Sequence, residues 1–451
     1  MNYAYELERL EKGDRSPELI KKIITKHKSK AEKMKDFYER YTIEKLPILT
    51  RTVEDPMAIN SKINNDFFSE IIDIRTGYFA GNEVSYIVNT EAEKEWNEFK
   101  MRNRLADLDS ETTKQAGIKG YSVRLLYIDP EDNKERIAMI PAWEAVLIGD
   151  KGIDEPKYGV RYYTVEEDNE QVSVRVELHE AGKMYEFRGD SVETIDSYDE
   201  HDNVFGLCPM WGYMNNDELQ GEAEKVIREI DAYDRVISDV NSEIEAFRSA
   251  YLAFFGVTAP DKDDEESTSN PGTFYFDEGQ DGKFITKVLQ TEAIEAHLDR
   301  LHENIYLFTK TPNFRDKKFG NVPSGIALKQ MMQPLENKTV AFERKFASGN
   351  LRMFEILATS FEKRRITLKP YEIQQKFTRN FPKDWLYEAQ VQTELKGNVP
   401  EETRLALFPG IQDVAQALKD LEREQLDVMK QMEKEQEKID SKLEKENPGD
   451  E

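Results

Sequence analysis

Between residues 226 and 254, Val226, Ile230, Tyr233, Ile237, Val240, Ile244, Phe247, Tyr251 and Phe254 follow one another in alternating steps of four and three. A mean step of 3.5 holds one apolar seam on one side of a helix along its whole length, and such a seam needs a partner helix. Asn216 and Asp217 stand where a cap is expected, Leu219 precedes the seam and Gly256 follows it. The spacing predicts a helix over 217–255, roughly 58 Å long. Its other side carries Glu222, Glu229, Asp231, Asp234, Asp239, Glu243 and Glu245, so one face is dry and the other acidic. A second helix over 292–309 repeats the stepping with Ile294, Leu298, Leu301, Ile305 and Phe308, as an antiparallel partner should. No globule of 451 residues hides rods of this length by itself.

At the shared tip of the rods, a turn rich in breakers (259–272) leads into TFYF (273–276), DEGQDG (277–282) and KFITKVL (283–289), which read as a β-hairpin. A lone two-stranded hairpin is marginal in water, so Phe274, Phe276, Phe284 and Ile285 need another surface, expected on another chain. At the far end of the second rod, RDKKFGNVPSGIALKQMMQ (315–333) places Lys317, Lys318 and a Gly-Asn-Val-Pro turn with Asn321 before a third helix capped by Ser324. Ile326, Met331, Leu335, Phe342, Phe346, Phe354 and Phe361 give that helix its apolar contacts, and Gly349 is a weak point. Pro334 lies inside it, where the missing N–H and the crowded carbonyl of Gln330 predict a kink.

Residues 1–216 read as a mixed α/β region. Helical patterns cover 17–38, a stretch capped by Asn65 or Asp66 and ended by Gly77 or Gly81, and 91–117. Strand-like runs follow at 122–129, 136–141, 145–149, 159–165, 172–179 and 183–187, as in an antiparallel meander. Beyond Pro370 the chain is irregular through FTRNFPKDW (377–385). VPEETRLALFPGI (399–411) then reads as a short helix, a turn at Pro409-Gly410 and the start of a last helix. From Leu418 onward Glu, Lys and Gln dominate, which fits a frayed exposed helix or a disordered tail.

A net charge of −26 argues against a broad duplex-binding face, because affinity for nucleic acid comes chiefly from lysine and arginine on phosphates; any contact with DNA has to be local. Cys208 is the single cysteine, expected as a small buried apolar residue in a protein made in a reducing compartment. The first residues lack a signal-peptide core, and the longest apolar run, 250–257, is far short of the roughly 20 residues that span a bilayer, so a soluble protein is expected. Nothing looks catalytic. DGKFITK (281–287) has Phe284 where a phosphate loop needs Ser or Thr. His297 and His302, five apart, turn away from each other, and His27, His179 and His201 form no ligand spacing. DKDDEE (261–266) lacks calcium-loop spacing and reads as a solvated turn. No metal and no cofactor are expected.

The order of these parts resembles the portal proteins of tailed double-stranded DNA bacteriophages, particularly those of long-tailed phages of Gram-positive hosts. The likeness is carried by NNDFFSEIIDIRTGYFAGNEVSY (64–86), the helix–hairpin–helix of 217–309, NVPSGIALK (321–329), FTRNFPKDW (377–385) and VPEETRLALFPGIQDV (399–414), in their order and spacing from about residue 30 to 425. The resemblance implies an α+β protein that forms a ring of subunits, usually twelvefold, at one capsid vertex of the virion. Double-stranded DNA is packaged and ejected through that channel. The implied partners are terminase, a head–tail adaptor, and the major capsid and scaffolding proteins, with assembly in the host cytoplasm and no membrane. Such a protein is a passage and not an enzyme. By the same analogy 1–216 is the wing, 217–255 and 292–311 are stem helices, and 256–291 is the clip. Residues 312–323 are the tunnel loop, 324–379 the kinked helix returning to the wing, and 380–451 the crown with a charged tail. The seam residues Ile230, Tyr233, Ile237, Val240, Ile244, Phe247, Leu298, Leu301 and Ile305 then pack in the stem, and Phe274, Phe276, Phe284 and Ile285 make clip contacts. Lys317, Lys318 and Asn321 face DNA; the plainer reading pairs both lysines with Asp316 or a nearby glutamate at a helix elbow. The clip and crown are short for the family. Two other readings are a scaffold or tail component built from long helices, and a packaging ATPase, which would need the phosphate loop this chain lacks.

Overall fold

The computed structural model describes residues 3–54, 58–88, 91–166, 172–248, 252–255, 273–276, 290–314, 325–381, 385–408, 411 and 414–446. They fall into two units, 1–377 and 378–451. The described helices of the first unit are α1 (Ala4–Glu11), α2 (Pro17–Tyr41), α3 (Phe67–Ala80), α4 (Glu93–Arg102), α5 (Leu105–Lys119), α6 (Ile227–Arg248), α7 (Thr291–Thr309) and α8 (Gly325–Lys363). Its strands are β1 (Ser85–Ile87), β2 (Tyr121–Ile128), β3 (Glu135–Ile140), β4 (Ala145–Ile148), β5 (Tyr158–Glu166), β6 (Val172–Glu180), β7 (Lys183–Gly189), β8 (Tyr198–Asp202), β9 (Met210–Met214), β10 (Leu252–Phe255), β11 (Thr273–Phe276) and β12 (Gln374–Lys376). The mixture of helices and antiparallel sheets is that of an α+β protein.

All six expected strands form, but they belong to two sheets. Strands β4 to β8 make the meander, each antiparallel to the next. Its inner face, with Val160, Val176, Leu178 and Phe187, is covered by Leu10 of α1 and by Leu19, Ile20, Ile23 and Ile24 of α2. The edge strand β8 is exposed at every residue, and its Asp199, Glu200 and Asp202 discourage pairing with another edge. Strands β2 and β3 pair instead with β9, in the order β3-β2-β9. There β2 is buried over 121–126, with α5 on one side. Strand β9 and α8 come so close that a Cβ on Gly349 would sit 2.6 Å from the Tyr213 ring. The glycine expected as a weak point is therefore a packing contact inside a continuous helix.

The expected helix over 91–117 is two helices, because Arg104 takes a left-handed conformation (φ 47°) between α4 and α5. α5 ends at Gly120, also left-handed, where a Cβ would lie 2.1 Å from the Leu219 carbonyl oxygen. Helix α3 ends at Gly81, and Asp66 at its N-cap makes no capping hydrogen bond. Helix α8 runs on through Pro334. Cys208 is buried as expected, and burial pushes its thiol up to about 12.

The first rod differs from expectation at both ends. Residues 216–221 form a turn in which Asn216 Oδ1 accepts the Gln220 N–H and Leu219 is left-handed (φ 54°). One turn of 3₁₀ helix, Glu224–Val226, precedes α6. At the other end the helix is described as far as Arg248, and Leu252–Phe255 is a strand, since a short apolar run before Gly256 can pair its backbone in a sheet. It pairs in parallel with β11, which carries Phe274 and Phe276. The expected hairpin partner of β11, 283–289 with Phe284 and Ile285, lies outside the described residues, as do Tyr251, Lys317, Lys318 and Asn321.

The second unit contains α9 (Trp385–Leu395), α10 (Glu401–Leu407) and α11 (Val414–Glu446). Gln392 and Arg404 tie α9 to α10 through two hydrogen bonds, of 3.0 and 3.1 Å. Of the two expectations for the tail, the structure has the exposed helix, with Leu426, Val428, Met429 and Met432 open to solvent.

Candidate functional site at the helix junction

The two rods are rooted in one apolar cluster. Ile71 and Ile72 of α3 meet Val226 of the 3₁₀ turn and Ile230 from the start of α6, and Ile305 and Tyr306 from the last turns of α7. Phe67, the first residue of α3, is the hinge of this packing: its ring meets Tyr233 and Tyr306 edge-on at 5.1 and 6.1 Å. The root is dry, and burial then falls along the rods. Tyr233, Ile237, Val240, Leu298 and Leu301 are only half-buried. Ile244 is 49% exposed, Leu307 69%, Phe308 50% and Phe314 52%. Described residues of one chain therefore leave apolar side chains on both rods uncovered.

One side of α6 is held by an extended strap, residues 58–65. The backbone N–H groups of Ser61, Ile63 and Asn65 donate to Ser242 Oγ (3.0 Å), Ser238 Oγ (3.0 Å) and Asp234 Oδ1 (2.8 Å). Acceptors four apart on a helix face one side, as do alternate amides of an extended chain, so the two periods match and run antiparallel. Asp234, expected on the acidic outer face, is thus buried, and desolvation raises its carboxyl above the usual value. Arg40 of α2 and Arg51 pin the same flank through Asp231 and Asp239.

Beneath the root lies a buried ionic group. Arg75 of α3 donates from Nη2 to Asn215 Oδ1 (2.7 Å), stands 3.4 Å through Nε from Glu222 Oε1, and lies 3.9 Å over the Phe342 ring of α8. Glu222 also pairs with Lys338 of α8, whose Nζ donates to the Thr309 carbonyl at the end of α7 (2.8 Å). Glu222, expected on an exposed helix face, instead precedes the helix and joins α3, α7 and α8. Burial opposes its charge, but Arg75 and Lys338 outweigh that and hold its carboxyl below the ordinary value. Burial lowers both Lys338 and Arg75, with Glu222 partly offsetting the shift in each.

The structure thus brings Ile230, Tyr233, Ile237, Val240, Leu298, Leu301 and Ile305 onto facing helices, with Ile244 beyond them on the exposed stretch of α6. Phe247 lies on α6. Pro334 stands one turn before Lys338 in α8. Sequence reasoning missed the strap and the ionic group. The strap had a signal, Asp234, Ser238 and Ser242 at steps of four; Arg75, Glu222 and Lys338 lie too far apart in sequence to signal one another. Among the described residues no cluster of three or more His, Cys, Asp or Glu could hold a metal ion, and no helix is long and apolar enough to cross a membrane.

A family model described as "Phage portal protein, SPP1 Gp6-like" matches residues 20–442. The chain is also similar to a protein of Clostridium phage phiCD119 named "Portal protein", at 25% identity over 398 residues, covering 81% of this chain and 85% of that one.

Proposed function

The chain belongs to the SPP1 Gp6-like family of phage portal proteins, and from that premise we propose that α6 and α7 form the stem of a closed ring of about twelve copies. The family is a structural one whose members form an oligomeric ring at a capsid vertex. Double-stranded DNA enters and leaves the head through that ring, which docks terminase and a head–tail adaptor and touches the capsid and scaffolding proteins. The chain works without a cofactor and catalyses no reaction of its own. In this reading 1–216 is the wing, 256–291 the clip, 380–451 the crown, and 312–323 a loop whose Lys317, Lys318 and Asn321 meet the duplex. Assembly takes place in the host cytoplasm and the product resides in the virion.

The observation that carries the reading is the apolar surface left uncovered on the two rods: Ile244 and Phe308 belong to the seam yet are about half exposed, and Leu307 beside it is 69% exposed, although the root of the seam is fully buried. Burying each such side chain against a neighbouring copy contributes about 1.5–3 kcal/mol, and a ring repeats the contact at every subunit. Exposed acid on α6 such as Glu245, in a chain of net charge −26, suits a wall along which a duplex slides without sticking. The test is mass measurement and negative-stain imaging of the purified chain. Wild type is expected to give closed rings with an axial hole, and Ile244→Glu/Phe308→Glu a folded chain that does not close; rings unaffected by that pair of charges would refute the stem assignment. Lys317→Glu/Lys318→Glu should leave rings intact and impair packaging or retention of DNA. Normal filling would leave those lysines as elbow residues.

A further inference from the structure

Helix α2 is the basic exception in this acidic chain. Residues 21–35 hold seven lysines against one acid, Glu32, whereas the whole chain is −26. The buried side of the helix, Leu19, Ile20, Ile23, Ile24, Met34 and Phe37, fixes its rotation. At 3.6 residues per turn the lysines then fall into two rows flanking a solvent crest of Thr25, Ser29 and Glu32. One row is Lys21, Lys28 and Lys35, in steps of seven that rise about 10 Å each; the other is Lys22, Lys26 and Lys33. Neighbouring acids take up part of the charge: Lys26 pairs with Glu6, Lys33 with Glu224, and Glu193 lies near Lys21 and Lys28. Lys30 lies over the Tyr121 ring, and burial lowers it to about 8. Lys22, Lys28 and Lys35 remain exposed, with Lys22 also over the Tyr5 ring.

We propose that the solvent face of α2 is a sequence-independent docking surface for the phosphate backbone of double-stranded DNA, separate from the loop at 312–323. The choice of DNA as occupant rests on the portal reading; the electrostatic fit does not. Two rows of lysine with no arginine among them neutralise phosphates as point charges and carry no fork for reading base edges. Lys21 to Lys35 spans about 21 Å of helix, along which a duplex presents roughly one negative charge per 1.7 Å. His27 does not modulate the surface: burial pushes it down to about 4 and it stays neutral, sharing a hydrogen bond with the Tyr162 hydroxyl.

The experiment measures binding of the full-length assembled protein to a fluorescent 30-base-pair duplex of mixed sequence across about 50–200 mM salt. Lys22→Gln/Lys28→Gln/Lys35→Gln should weaken binding equally for unrelated sequences and lower the slope of log affinity against log salt by about 2–3, near one for each phosphate no longer neutralised. Lys317→Gln/Lys318→Gln should leave that difference in place. An unchanged slope in the triple variant overturns the proposal. So does poly-glutamate competing as well as duplex at equal charge, which would make the occupant an acidic protein. Rings imaged in parallel separate the two ideas, because failure to form rings counts against the stem assignment whereas a lysine-independent slope counts only against α2.

Discussion

Replacing Arg75 and Glu222 singly and together tests whether the junction is held by a mutually dependent charge pair. At 3.4 Å and an effective dielectric constant of 20 their attraction is about 5 kcal/mol. Stripping both ions of water costs several kcal/mol each, so the pair comes out near neutral while each partner alone is very costly. Arg75→Met leaves Glu222 with Lys338 and Asn215 but without its guanidinium, and Glu222→Leu leaves a buried guanidinium with only neutral partners, Asn215, the Thr113 carbonyl and a ring face. Each is expected to lose about 3–5 kcal/mol. The double variant should recover about 2–3 kcal/mol of the summed loss, since Lys338 is partly exposed and can turn to solvent. The assay is guanidinium unfolding at one fixed protein concentration, because any self-association couples stability to concentration, read by tryptophan emission, to which the buried Trp96 and Trp211 contribute. Glu222 has its folded value depressed, so its contribution is present above the unfolded value of 4.5 and is lost as pH falls below it. Glu222→Leu should remove that part of the acid sensitivity. Single losses that add within about 0.5 kcal/mol would refute the coupling.

Gly77→Ala and Gly349→Ala should act in opposite directions in the same unfolding assay. A Cβ at Gly77 meets nothing within 4 Å and should gain up to about 1 kcal/mol from helix propensity. At Gly349 it strikes the Tyr213 ring, pinned by bonds to Arg124 and Asn350, and the net loss should be about 1 kcal/mol or more. Asp234→Asn keeps the acceptor for Asn65 and removes a charge that burial disfavours, so at pH 7 it should be at least as stable as wild type; Asp234→Ala should lose about 1–3 kcal/mol. His27 has its folded value lowered to about 4 from 6.5, so stability is full above 6.5 and falls by up to about 3 kcal/mol as pH drops to 4. His27→Phe should flatten that part of the pH profile.

What the sequence made legible was periodic. The 3.5-residue seam found α6 and α7, and alternation found six strands, because both signals repeat within a few residues. Strand β8 was missed because YDEHD has no buried face at all, and β9 because MWGYM is buried on both. The break at Arg104 had no signal, since an arginine in the left-handed region reflects tertiary demand and not propensity. Helix 217–255 was drawn too long at both ends because an apolar step of three or four continues equally well into a turn or a strand. At the junction, the seam residues near the root were readable, whereas Arg75, Glu222 and Lys338 meet only through the fold. Membership of the portal family was legible through the order of the parts.

The strap along α6 has a built-in limit of length. Four residues of helix advance about 6.0 Å while two of an extended chain advance about 6.6 Å, so the two scales slip like a vernier by about 0.6 Å per rung. Three rungs absorb the slip within uniform bonds of 2.8–3.0 Å; a fourth would be displaced by nearly 2 Å, and the helix offers no acceptor there, the neighbouring positions being Ile230 and Ala246. Lengthening α6 therefore cannot lengthen the clasp. Past Ser242 the helix runs beyond the reach of its own strap, and Ile244, the first seam residue beyond it, is where α6 begins to depend on whatever stands alongside.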